Sequence, residues 1–297
     1  MPEDESKSVP PSGRDDPAPD EEARPEESPL DEEDHADEVQ RRSSVPLQVI
    51  HDAVRVDGEI EISRPGNALF WSGLAGGLAM GLSLIVSGAL KSHLPDAEPF
   101  GAIVKIGYTV GFLVVILGRQ QLYTENTLTV VLPLMHHRSL KTLVHVLRVW
   151  GIVLFSNLLG AAAISWYCAQ SGAFDESMRE AFTKLGAAVV EPSAQVIFLR
   201  GILAGWMIAL IVWLVPAVDG AAKLLIIFAL AYSVGLAELS HVIAGSVEAL
   251  YLVWIDELAW GSYFGSFLLP VLLGNTLGGV VLTAVINHAQ TVASQDD

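Results

Sequence analysis

Two long apolar stretches, each interrupted near its middle by a polar run, occupy matching places in the two halves of this chain. The first runs from about Ile103 to Met135 and is split by Gly118-Arg119-Gln120-Gln121, then by Tyr123-Thr124-Glu125-Asn126. The second runs from about Leu224 to Trp254 and is split around Glu238-Leu239-Ser240-His241. An unbroken helix of ~31–33 residues would be ~50 Å long, against ~30 Å for a bilayer's hydrocarbon core. Each stretch is therefore read as two half-helices joined by irregular backbone. Such backbone survives at membrane depth only where protein buries it or where it lines a cavity. A matched pair of interrupted spans points to a transport site between two repeats.

Further apolar spans fall at roughly 67–90, 140–168, 194–217 and 266–287. With the two broken ones at roughly 100–135 and 222–254, they predict an all-α integral membrane protein with six transmembrane helices. Three crossings per group is an odd number, so the second group enters from the opposite side and the repeats are inverted. Internal echoes agree. Leu74-Ala75-Gly76 answers Leu203-Ala204-Gly205, and Asn157-Leu158-Leu159-Gly160 answers Asn275-Thr276-Leu277-Gly278. Gly73, Gly77 and Gly81, like Gly274 and Gly278, give small-xxx-small steps that allow close helix contact within or between subunits.

Short-loop Lys and Arg counts set orientation. Arg41, Arg42, Arg55, Arg64, Arg138, Lys141 and Lys223 fall on one side, and Lys91, Arg179 and Lys184 on the other. The expected protein is multi-pass in the cell (inner) membrane, with both termini cytoplasmic. Charge elsewhere is uneven. The formal net charge is −17, yet residues 1–40 carry 16 acids against Lys7, Arg14 and Arg24. That segment, extended to residue 44, has almost nothing apolar to bury and is expected to be a disordered cytoplasmic tail. It lacks the basic and apolar regions of a signal peptide. Residues 45–62 are amphipathic and predict a helix on the membrane surface; 63–290 form the transmembrane domain, and 291–297 a short C-terminal tail. The single cysteine, Cys168, excludes an intrachain disulfide framework.

Among residues that can carry chemistry, His241 stands out. It lies where the fifth span resumes, at the start of a half-helix whose free N–H groups and dipole favour an anion. An ionisable group at that depth is a functional candidate, with a neutral histidine bonded inside the bundle as the alternative. Leu122-Tyr123-Thr124 ends the first break. Thr124 offers a hydroxyl to a small polar solute, or caps the second half-helix, while Leu122 and Tyr123 form an apolar constriction. Glu248 follows His241 by seven residues on the same helical face; its alternative is a contact at a span end or subunit interface. Arg200 is expected to snorkel at the cytoplasm-distal end of the fourth span. His136-His137 lack further ligands, so no metal site is expected. There is no Gly-x-Ser-x-Gly, His-Glu-x-x-His or GxxxxGK[ST] motif, so hydrolysis and ATP use have no support. Nor is there the paired Asn-Pro-Ala of aquaporins.

Leu122-Tyr123-Thr124 resembles the Leu-Phe-Thr loop in the broken second helix of the formate/nitrite transporter family. Gly201-Ile202-Leu203-Ala204-Gly205 is similar to its fourth-helix Gly-Ile-Leu-(Ala/Cys)-Asn, within a match that runs from Arg200 to Trp206 and resumes at Val212-Trp213. Leu239-Ser240-His241-Val242-Ile243-Ala244-Gly245-Ser246 resembles its Phe-Glu-His-Ser-Val-Ala-Asn-Met, and Pro270 to Gly279 its last-helix Pro-Val-(Thr)-x-Gly-Asn-x-x-Gly-Gly. The resemblance covers roughly residues 63–290. It implies a homo-pentamer of aquaporin-like protomers, each with its own pore for small monovalent weak-acid anions, passive or proton-coupled. It also implies a single pore histidine, His241, between two apolar constrictions. Pore and substrate residues are then His241, Leu122, Tyr123, Thr124, Ser240, Gly205, Gly245 and Asn275. Three of these depart from the family pattern. Ser240 stands for its Glu, and Gly205 and Gly245 stand for the two Asn residues whose amides flank the histidine. In a fourth departure, Tyr123 replaces Phe and adds a hydroxyl.

The expected partners are the bilayer, a small monovalent anion or its conjugate acid, and further copies of the chain, with no nucleic acid and no cofactor. The expected mechanism draws an anion in along half-helix dipoles and brings a proton at or through His241. The neutral acid then passes Leu122 and Tyr123, desolvation having raised its pKa toward neutrality. Two other functions fit the same residues: a pH-independent channel for a small neutral solute, and a non-transporting membrane scaffold whose acidic tail binds a partner.

Overall fold

The computed structural model describes residues 43–293 together with 35, 37 and 39. The tail expected to be disordered over 1–44 falls largely outside the described residues, as do the last four residues of the C-terminal tail.

Helix boundaries follow local chemistry. α1 is Leu47–Ser63; it ends because Pro65 forces Arg64 into extended backbone. α2 (Gly66–His93) starts directly after that proline. α3 (Glu98–Leu117) carries Pro99 in its first turn, where a missing N–H costs nothing. After a non-helical stretch come α4 (Tyr123–Thr129) and α5 (Val131–His137). Pro133 has no N–H to give to the Thr129 carbonyl four residues back, which accounts for the interruption at Val130. α1 fits onto this point because Gly58 lies against the Thr129 carbonyl and the Pro133 ring, with no room for a side chain.

α6 (Leu140–Gln170) is capped by Ser139, whose hydroxyl accepts from Thr142 N at 3.1 Å. Asp175 caps α7 (Glu176–Val190) in the same way, accepting from Met178 N at 2.9 Å. α8 (Ala194–Leu214) tightens into a 3₁₀ turn at Val215–Ala217. α9 (Ala221–Leu236) and α10 (Val242–Trp254) flank a second non-helical stretch. α11 (Trp260–Ala293) closes the chain, with π-helical turns at Tyr263–Leu268 and Gly278–Val285.

Among the described residues, 5 helices are long and apolar enough to cross a membrane: α2, α3, α6, α8 with its 3₁₀ turn, and α11. α9 and α10 are shorter and apolar. Two differences from the sequence-based expectation matter. Tyr123-Thr124-Glu125-Asn126 does not belong to the first break; it is the opening turn of α4, and the break is confined to 118–122. In addition, α7 replaces what loop charges alone suggested. Its buried Met178, Ala181, Phe182 and Gly186 follow helical spacing.

Two helix pairs pack alike, α2 with α6 and α8 with α11. A Cβ at Gly77 would collide with the Asn157 carbonyl oxygen, and one at Gly205 with the Asn275 carbonyl oxygen. Gly205 therefore corresponds to Gly77. The Leu74/Leu203 echo is one residue out of step, whereas the Asn157/Asn275 echo is in register.

Candidate functional site

The two breaks are built to one plan. Before the first, Gly118, Arg119 and Gln120 donate their N–H groups to Val114, Ile116 and Val115 carbonyls at 2.9, 3.2 and 2.9 Å. Before the second, Ala237, Glu238 and Leu239 donate to Ser233, Gly235 and Val234 at 3.0, 3.2 and 3.0 Å. Each turn places a non-glycine residue at positive φ, Arg119 at 50° and Glu238 at 51°.

One buried asparagine then pins each break. Asn157 Oδ1 accepts from Tyr123 N at 2.9 Å, and its Nδ2 donates to Gly73 O at 2.7 Å and Gln121 O at 2.9 Å. Asn275 Oδ1 accepts from Val242 N at 2.8 Å, and its Nδ2 donates to Gly201 O at 2.8 Å and Ser240 O at 2.9 Å. Tyr123 N, Gln121 O, Val242 N and Ser240 O are backbone groups that the interruptions leave unpaired, and burying them without partners would cost ~1–3 kcal/mol each; Gly73 and Gly201 lie within α2 and α8.

The plans diverge at one position. Leu122 precedes α4, fully buried and offering no side-chain cap. The equivalent residue before α10 is His241, 1% exposed. Its Nδ1 accepts from Ile243 N at 3.3 Å and Ala244 N at 3.1 Å, so the ring caps the half-helix. A nitrogen that receives two N–H groups carries the lone pair. The neutral ring's proton is then on Nε2, which lies 2.9 Å from Thr124 Oγ1. Phe112 presents an aromatic contact with centroids 5.0 Å apart and planes at 80°. Thr124, fully buried, thus accepts from the imidazole and keeps its own hydroxyl proton for donation. His241 thus bridges the second break to α4, the half-helix that follows the first.

Beyond the ring is a cavity of about 60 Å³, lined by residues of six segments, Gly235 of α9 among them. His241, Ser240 and Glu238 come from the second break, Gly245 and Glu248 from α10, and Arg200 from α8. Lys105 and Tyr108 of α3 face them, with Leu185 and Val189 of α7 among the apolar lining. Arg200 Nη1 lies 3.8 Å from Glu238 Oε2.

The formate/nitrite transporter family model matches residues 48–289. The chain belongs to the formate/nitrite transporter family. Inner membrane protein YfdC of Escherichia coli (strain K12) is 40% identical over 241 residues, covering 81% of this chain and 77% of that protein. Two solved structures have the same fold. One, titled an FNT family ion channel, has TM-score 0.70 at 20% identity and covers 82% of this chain and 98% of that one. The other, titled a pentameric formate channel with formate bound, has TM-score 0.66 at 17% identity, with 76% and 98% covered. The protein is therefore a multi-pass membrane protein of a transporter and channel family, and not an enzyme.

Within this member of the family the predicted site residues separate into two groups. His241 and Thr124 are bonded to each other, and Ser240, Gly245 and Glu248 share the cavity with His241. Tyr123 directs its hydroxyl to Thr276 Oγ1 at 2.8 Å, so its polar end is tied to α11. Gly205 and Asn275 are corrections. Gly205 lies on the α11 backbone with no space for an amide, and all of Asn275's polar atoms hold backbone. Arg200 is also corrected: it lines the cavity beside Glu238 instead of standing alone at a helix end. Sequence reasoning missed Lys105, Tyr108 and Phe112, since a lone cation or aromatic in an apolar helix carries no sign of what it will face. Leu185 and Val189 were missed with α7, whose apolar spacing could have revealed them.

Proposed function

We propose that this protein conducts small monovalent weak-acid anions, formate-like or nitrite-like, with a proton, through a pore in each protomer. The supporting observation is the His241 ring, which lines a charged cavity and is bonded through Nε2 to Thr124 of α4. In this reading Lys105 and Arg200 attract the anion, and Thr124, oriented by His241, donates its hydroxyl to the passing solute. Leu122 and Tyr123 form the apolar constriction that admits only a neutral acid. Desolvation there favours protonation of the anion, since raising a carboxyl pKa by ~3–5 units reaches neutral pH.

The architecture proposed with it is six crossings in two inverted repeats, with α3–α5 and α9–α10 as the broken members. The shared plan of the breaks supports it. Both termini are placed in the cytoplasm on loop charge. A homo-pentamer is proposed by analogy with the pentameric formate channel of the same fold.

Uptake of labelled formate, nitrite, acetate and lactate into proteoliposomes, with and without an inward proton gradient, tests this reading. Accumulation of at least one of them with the gradient is the expected result. Flux unaffected by pH would indicate a neutral-solute channel, and no flux of any solute would indicate a scaffold; either overturns the proposal.

A further inference from the structure

Both nitrogens of His241 are engaged, which bears on where a co-transported proton resides. Protonating Nδ1 would displace the Ile243 and Ala244 N–H groups from the cap, and Nε2 already bears the proton shared with Thr124. The cavity offers two other proton-accepting side chains, Glu238 and Glu248. Glu238 has a side chain 60% exposed and is already engaged with Arg200, 3.8 Å away. Glu248 is only 8% exposed. It projects from α10 seven residues beyond His241, ~10 Å along the helix on the same face. Lys105 and Tyr108 of α3 line the same cavity.

We propose that Glu248, which lines the same cavity as Lys105, is the proton-coupling group of this transporter; the inference rests on the weak-acid reading above. The cavity lining holds two cations, Lys105 and Arg200, and two carboxyl groups, Glu238 and Glu248. With every group charged, the set is neutral and an entering anion finds no excess positive charge. Protonation of Glu248 from the adjoining aqueous side removes one negative charge and leaves Lys105 without its counter-charge. The ammonium then draws the anion into a space of about 60 Å³. That equals ~2 liquid water volumes, enough for an ion of formate's size. The Glu248 O–H bond breaks as an O–H bond forms on the anion's carboxylate oxygen. The neutral acid leaves past His241, and the Glu248 carboxylate recovers Lys105. One proton moves per anion, and no charge is left in the site.

Other groups around Glu248 do not compete for this role. Tyr108 and His241 complete the titratable lining of the cavity. The charged residues of α7, which packs on α10, are exposed, and Tyr263 of α11 donates its hydroxyl to Ser246 at 3.1 Å.

The experiment compares wild type, Glu248→Gln and Lys105→Met in proteoliposomes with labelled formate. Wild type should accumulate formate by up to about tenfold per unit of pH difference, the limit for one proton per anion. Glu248→Gln, isosteric and permanently neutral, has no proton to hand to the anion and should lose both accumulation and exchange of formate. Lys105→Met should lose exchange at every pH. Accumulation within twofold of wild type in Glu248→Gln overturns the proposal. Wild type that moves no weak acid overturns the weak-acid reading instead. An infrared difference spectrum of wild type on formate addition reads the carboxyl directly, whether or not the variants assemble. A gain of protonated-carboxyl absorbance as formate draws a proton into the site is expected, and an unchanged spectrum counts against Glu248.

Discussion

The two breaks share their backbone and differ in their chemistry. Each has the same sequence of turn bonds, the same positive-φ residue and the same three-bond asparagine anchor. At the equivalent next position, one presents a leucine side chain and the other an imidazole. The first break is closed by the buried Leu122 and Leu128 and leaves Gln120 Oε1 and Glu125 Oε1 without a bonding partner among the described residues. The second opens onto a cavity with two cations and two carboxyl groups. The difference teaches that geometry was duplicated as a unit, while function was written into one or two side chains set on it.

If the anchors are equivalent, their removal should be equally damaging. Asn157→Ala and Asn275→Ala each leave two buried backbone groups of a break unpaired and lose a third bond to a neighbouring helix, for a loss of ~3 kcal/mol or more. Thermal unfolding of the oligomer in detergent measures both, and one tolerated substitution beside one lethal one would break the equivalence. Next come the packing glycines. Gly77→Ala and Gly205→Ala push a methyl into a carbonyl oxygen, and each should cost ~1–3 kcal/mol as the helices separate. A Gly205→Asn variant that assembled normally would restore the sequence-based idea of an amide at this position.

The capping histidine comes third. His241→Phe strands the Ile243 and Ala244 N–H groups, and loss of a cap costs ~1 kcal/mol. His241→Asn should recover that stability, because asparagine caps well, without recovering formate flux. Full flux in either variant would reduce the ring to a cap. The smallest effect is expected at the positive-φ turn. Arg119→Gly should stabilise by ~0.5–1 kcal/mol, since glycine adopts this conformation without strain. Glu238→Gly should gain less, because it also removes the Arg200 partner.

How much of this was legible in the sequence varied by residue. The breaks were, because a polar run inside an apolar stretch reaches membrane depth only as backbone that protein buries or that lines a cavity. The Asn157/Asn275 echo was visible in register, but its meaning was not. An asparagine that holds backbone and one that faces a solute look alike until the carbonyls around it are placed. The Leu74/Leu203 echo failed by one residue because leucine, alanine and glycine recur throughout apolar helices, so several registers match equally well. Arg200 was read by its place along one helix, whereas its role is set by Glu238 on another element. His241 was found at once, yet the direction of its two nitrogens depends on a threonine 117 positions away.

The contact between α1 and the end of α11 has one more consequence. His51 Nε2 lies 3.0 Å from His288 Nδ1, with the rings stacked at 5.3 Å between centroids. The first and last described helices therefore meet on one face of the body, while α7 and α8 are joined by a short link at 191–193. A chain cut in that link and closed by a linker between α1 and α11 would present the histidine-bearing half first. Folding of the finished body should be indifferent to that exchange, since each break carries its own anchor. In the six-crossing inverted topology proposed above, insertion into the bilayer would not be: the first helix to enter would now be α8, starting from the opposite face. Circular permutation at this point would separate what the fold requires from what its order of synthesis requires.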